Sequence, residues 1–310
     1  ETNVVDLELA ATIFEKYGLD QYLISLLTPR PEPLTPPLQK AYLRALFNND
    51  RMAEFDRVWH SLEPSSRLRN DPELELYRAA FAAGWGTSEL ARKVNVRLED
   101  QLESGEWQVL ANRLYLRVCL QRNEVEPYLE ALGRLQKQGQ DRLLDHVRSW
   151  RLLHANRRQA EARALAEAYA GSPATGLETV ELAQALHAVG LPARAAKLLD
   201  ASVLEYSFLD GLWILYANLL IETERWDELR KLALTIRLRP DLADRLRAYS
   251  YFLEGRVEIA QNRPGLAAQL FSQIPACPLD NLELALNIAN GLCQLGQPRT
   301  ARALLDSQTV

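Results

Sequence analysis

The chain has 310 residues, 47% of them apolar and 25% charged, with a formal net charge of -5. That composition describes a folded chain rather than a disordered one. A negative balance removes the basic footprint of a nucleic-acid binder, so no nucleic acid is expected as a partner. Of the 36 basic residues only six are Lys and the rest are Arg, a bias that points to a GC-rich, bacterial genome and favours bidentate carboxylate contacts.

In chain order, residues 3–28 read as two short helices broken at Gly18, with Val4, Leu7, Ala11 and Phe14 at helical spacing. The proline-rich stretch 28–37 follows as a stiff connector, so 1–37 forms a degenerate N-terminal hairpin plus linker. Helix pairs are predicted at 38–63, 72–104, 105–139, 140–171, 174–207, 208–239, 240–276 and 278–308, divergent over 38–139 and regular over 140–310. Pro64, Pro72, Pro173, Pro240 and Pro278 stand where one pair hands over to the next. Asp71 before Pro72 fits an N-cap. Gly190 and Gly296 fit left-handed C-caps inside pairs. No segment shows sustained period-two alternation, so no strand is predicted.

A periodicity organises the second half. Small residues recur at Ala183, Ala217, Gly255 and Ala289, at intervals of 34, 38 and 34. Ala195, Leu229, Ala267 and Ala301 run in step, as do Leu199, Ala233, Phe271 and Leu305, with a turn column at Gly190, Glu224, Asn262 and Gly296. Small residues let two antiparallel helices approach, and larger ones such as Leu186, Leu292 and Phe271 fill the groove. The four extra residues of the longer interval are about one helical turn. The segment 237–247 can absorb them in a loop or a helix without rotating the packing face. The fold class is therefore all-α, an α-α superhelix or solenoid of about eight to nine helical hairpins.

The spacing of Ala183, Leu186, Gly190, Ala195 and Leu199, with Trp213 and the run Arg225-Trp226-Asp227, resembles the tetratricopeptide repeat family. The match is best over 174–308; one period back it reaches Ser149, Asn156 and Leu165, where Glu161 replaces the small residue. The resemblance implies a right-handed superhelix whose concave groove is lined by the first helix of each pair. The column after the small residues, Trp150, Gln184, Asn218, Arg256 and Asn290, is then expected to face that groove, with His187 in the column three further on. Where relatives that bind chaperone tails carry lysines, this chain has Val180, Ile214, Phe252 and Leu286, so a carboxylate clamp is not expected and the groove is expected to be apolar.

Nothing points to catalysis. The four histidines form no H-E-x-x-H, and His146 and His154 lack a third ligand at metal spacing. Nucleotide and nucleophile-elbow motifs are missing. Six tryptophans would suit the sugar platforms of an all-helical glycan hydrolase, but the 34-residue columns do not belong to such a toroid. No metal or cofactor is expected. The three cysteines, Cys119, Cys277 and Cys293, read as small buried hydrophobes. No apolar run is long enough to span a membrane. Because the chain opens with Glu1 rather than Met, a lost signal or membrane tether stays compatible with it, and no compartment is assigned. The expected function is a non-catalytic interaction scaffold or adaptor that binds a protein or peptide and assists assembly of a larger complex. The alternative is the recognition arm of a larger enzyme or regulator, and homo-oligomerisation through a terminal repeat is a further reading.

Overall fold

The structure is a computed structural model that describes residues 4–16, 19–28, 34–63, 66–86, 98–277, 279 and 281–307. Among the described residues it is all helical, without a strand, and has the character of a helical-repeat solenoid. Two compact units divide the chain, Glu1–Leu152 and Leu153–Val310.

In the first unit, α1 (Val4–Lys16) and α2 (Asp20–Leu27) form the N-terminal pair, and α3 (Pro36–Asn48) and α4 (Met52–Ser61) the next. Helix α5 (Pro72–Gly84) follows, and the second half of its predicted pair falls largely on 87–97, outside the described residues. Gly18, Pro64 and Pro278 also lie outside them, as does 29–33 of the predicted linker. Helices α6 (Gln108–Arg122) and α7 (Val125–Lys137) pair next, and α8 (Leu143–Ala155) runs across the division between the units. The second unit continues with α9 (Gln159–Ala168), then the pairs α10 (Gly176–Ala188) and α11 (Pro192–Ser202), α12 (Asp210–Glu222) and α13 (Trp226–Leu238), α14 (Pro240–Ala260) and α15 (Pro264–Phe271), and α16 (Leu282–Gln294) and α17 (Pro298–Ser307).

One turn recurs throughout. Asp50, Asn123, Arg157, Gly190, Glu224, Asn262 and Gly296 have φ between 55° and 79°, the left-handed region. Each donates its amide to the carbonyl three residues back, at 2.9–3.2 Å, and the next residue donates to the carbonyl five back, at 2.8–3.0 Å. These are the two bonds of a Schellman C-cap, which satisfy carbonyls the helix end leaves open. After six of the seven turns the second helix starts in one of two recurrent ways, whereas α7, after Asn123, opens with Val125 and uses neither. Pro192, Pro264 and Pro298 open α11, α15 and α17, where a missing N–H costs no hydrogen bond. Elsewhere an arginine after the turn grips a glutamate three residues on with both oxygens, in Arg51–Glu54, Arg158–Glu161 and Arg225–Glu228.

Seven residues before each turn residue comes a buried one: Leu43, Trp150, Ala183, Ala217, Gly255 and Ala289, with Leu116 in α6. Five after it comes another: Phe55, Tyr128, Ala162, Ala195, Leu229, Ala267 and Ala301. A Cβ on Gly255 would overlap the Phe271 ring, so glycine there is a packing requirement. The longer interval is resolved as helix: α14 has 21 residues where α12 and α16 have 13 each. Cys119 and Cys277 are buried as expected, with burial pushing the Cys119 thiol up to about 12; Cys293 is exposed, which corrects the reading of all three as buried.

In the first unit, Phe47 is an aromatic hub, edge-on to Tyr77 at 5.2 Å and to Phe55 and Trp85 at 5.6 Å. Asp71 caps α5 by accepting from the Leu74 amide at 3.1 Å, and its other oxygen meets Lys40 Nζ at 2.8 Å. Burial alone would raise the Asp71 pKa, but the bonds from Lys40 and Leu74 outweigh it and hold the carboxyl below its ordinary value.

Gly255→Ala is expected to lower unfolding stability by ~1–3 kcal/mol from overpacking, although alanine is intrinsically the better helix former. Urea unfolding measures it, and adding Phe271→Leu should recover part of the loss. Asp71→Ala is expected to cost ~1 kcal/mol at neutral pH, the typical value of an N-cap. Since the native pKa is depressed, wild type keeps that advantage above the ordinary carboxyl pKa of ~3.9. It loses it as the pH falls through the native value, so unfolding midpoints of the two proteins should converge in acid.

Candidate peptide-binding face

The register set by the turns fixes which way each first helix presents its side chains. A residue that follows a buried one is rotated by about 100° around an α-helix. In the second unit that rotation leaves Gln184, Asn218 and Asn290 exposed on α10, α12 and α16, while Arg256 on α14 is half-buried. The three amides have no intramolecular hydrogen bond among the described residues, and neither does the Arg256 guanidinium. Burial holds Arg256 below the usual arginine range, and the nearby Tyr249 phenol acts the other way.

His187, also half-buried, lies with Nε2 2.6 Å from Glu222 Oε2, which ties α10 to the end of α12. From sequence, Glu222 and Glu224 read as an acidic cluster on a solvated helix face, with no partner assigned to Glu222. It follows His187 by 35 positions, one period plus one, so the repeat itself carried that signal. In the same column as His187, Ile221 is half-buried, whereas Ile259 and Cys293 are exposed.

Trp150 is placed differently. It is 1% exposed and belongs to the buried column, because the α8–α9 turn falls at Arg157 and not at Asn156. The interval to Gly190 is 33 residues, not 34, and every position extrapolated over it shifts by one. Ala162 takes the small position assigned to Glu161, which instead pairs with Arg158; Ala166 is buried where Leu165 was expected, and Leu165 is exposed. The same shift puts Arg151, not Trp150, in the exposed column.

The column one turn earlier is mixed in character. Val180 and Ile214 are half-buried and Leu286 is exposed, all available as apolar flank. Phe252 is buried, its ring seated where Gly291 has no side chain. At the start of the first helices, Asp210 on α12 receives Arg245 of α14 at 2.8 Å and Asn281, the N-cap of α16, at 3.4 Å.

A small cavity of about 120 Å³ lies elsewhere in the second unit, over Trp213 and beside Leu232, with Asp200, Glu228 and Lys231 among its lining. There the Tyr216 hydroxyl donates to Asp200 at 2.7 Å, and burial followed by that bond raises its pKa. Among the described residues, no group of three His, Cys, Asp or Glu side chains could hold a metal ion, and no helix is long and apolar enough to cross a membrane. His146 is tied to Asp141 at 2.8 Å, while His154 is exposed.

Compared with protein-family models and with curated proteins, the chain matches none.

The two kinds of position separate in a stability measurement. Trp150→Ala is expected to cost ~3–5 kcal/mol, the range for truncating a buried aromatic. Asn218→Ala should stay within ~0.5 kcal/mol of wild type, as exposed positions do. Paired denaturant titrations read both; a large loss for Asn218→Ala would mean that its amide is structural.

Proposed function

We propose that the chain is a tetratricopeptide-like, non-catalytic interaction scaffold that binds a peptide or partner helix across the first helices of its second unit. The observation that supports this most is the exposed amide column of Gln184, Asn218 and Asn290, with the unpaired Arg256 in the same register. A carboxamide carries both donors and an acceptor, so it can bond an extended backbone through its N–H and C=O groups without reading the side chains. Repetition at the period of the fold would place such groups at regular intervals along a bound chain. His187 and Glu222 border this face as a polar pair, and Val180, Ile214 and Leu286 offer apolar contact beside it. The bound partner is a protein or peptide, and the outcome is assembly of a larger complex.

The test is affinity purification from the native organism with mass spectrometry, comparing wild type with the Asn218→Ala/Asn290→Ala double variant. Partners enriched by wild type should fall at least tenfold with the double variant while its unfolding midpoint stays unchanged. Retention of every partner would place the binding surface elsewhere.

A further inference from the structure

The first unit holds a polar cavity of about 300 Å³, lined by Asn48, Asp50, Trp85, Arg117, Gln121 and Arg148, together with Leu120. Its groups are positioned before any ligand arrives. The Arg117 guanidinium lies over the Phe47 ring, 5.0 Å from its centre, and pairs with Asp50. Trp85 stands edge-on to the same ring at 5.6 Å. Arg148 is less committed. Its nearest ion-pair contact is to Asp145 at 4.0 Å, the outer limit of pairing, and Asp145 also accepts from the Arg142 backbone amide. The Gln121 amide has no partner among the described residues, and Asn48 donates to Asp20 at 3.0 Å, which leaves its own oxygen open.

We propose that this cavity is a binding site for a carboxylate carried on an apolar stem. Arg117 is matched by Asp50, while Arg148 has only Asp145 at the 4.0 Å limit, so the charge left to neutralise at the Arg148 fork is at most one, which suits a monoanion better than a phosphate dianion. The planar fork of Arg148 matches a carboxylate in bidentate geometry. Leu120 and the Trp85 indole form the wall for the stem, and the amides of Gln121 and Asn48 bond whatever flanks it. The carboxylate belongs either to a glutamate side chain of a polypeptide or to a small free acid. The site shares no residue with the amide face of the second unit, so its fate is independent of that reading.

Tryptophan fluorescence of the full chain at low salt, titrated separately with N-acetylglutamate methylamide, butyrate and inorganic phosphate, tests it. At least one carboxylate should give a saturable change that is missing in Trp85→Phe and at least tenfold weaker in Arg148→Gln. Tighter binding of the glutamate derivative assigns the site to a polypeptide, and tighter binding of butyrate to a free acid; both uphold the carboxylate site. Three results would overturn it: no saturation with either carboxylate, undiminished binding by an Arg148→Gln protein of unchanged unfolding midpoint, or phosphate binding tighter than both.

Discussion

The closure of the hairpin is the constraint from which the rest follows. At each of seven turns a single left-handed residue reverses the chain, and two backbone bonds seal the end of the first helix. Once that residue is fixed, helical periodicity dictates the remaining positions: the buried residue seven before it, the buried residue five after it, and the outward one between. The turn demands conformation more than identity. Gly190 and Gly296 adopt it freely, and Asn123, Asn262 and Asp50 at modest cost. Arg157 and Glu224 hold the same geometry with side chains that disfavour it, so the surrounding packing must impose it there. Both are followed by the arginine–glutamate grip, which fixes the first turn of the next helix.

Much of the fold was legible because apolar spacing and proline placement report directly on local backbone. The predicted breaks at Pro72 and Pro240 are first-turn prolines of α5 and α14, and Asp71 is an N-cap. What was not legible was the register across one junction. A constant period of 34 extrapolates cleanly only where the loops keep constant length, and between Arg157 and Gly190 the chain is one residue shorter. A one-residue error rotates a helical position by about 100°, enough to move Trp150 from an imagined face into the core. Turn residues resolve such ambiguity better than small residues do, since their backbone geometry admits no slippage. By that ruler the repeat also extends upstream, to Asn123 and Asp50, where the small-residue columns had faded. There larger side chains, Leu43, Phe55, Leu116 and Tyr128, fill positions held further on mostly by alanine and glycine.

The two units spend their polar groups differently. In the first, basic side chains are drawn into local polar clusters: Lys40 with Asp71 and Glu73, Arg117 with Asp50, and Arg134 with the amide oxygen of the buried Asn112. In the second, ion pairs such as Arg230–Glu258 and Arg237–Glu254 bind α13 to α14, while the exposed column of the first helices stays free of them except at its edge. Those two ion pairs fasten neighbouring helices, whereas three of the four positions in the open column are neutral amides, Arg256 being the fourth. Neutral groups cost less to desolvate than ions, which suits the binding role proposed for this surface.

Helix α14 carries a final implication. Its 21 residues add 21 − 13 = 8 to the length of its neighbours, and its early turns bring Arg245 to Asp210, which also receives Asn281. Arrays of this kind are ordinarily one-dimensional, each module sensing only the one before and the one after. Asn281 and Asp210 are 71 residues apart, about two modules, so this contact skips a neighbour. The start of the last hairpin is thereby tied to the start of the hairpin two before it, so the N-cap of α16 and the first turn of α12 share one carboxylate across the module between them.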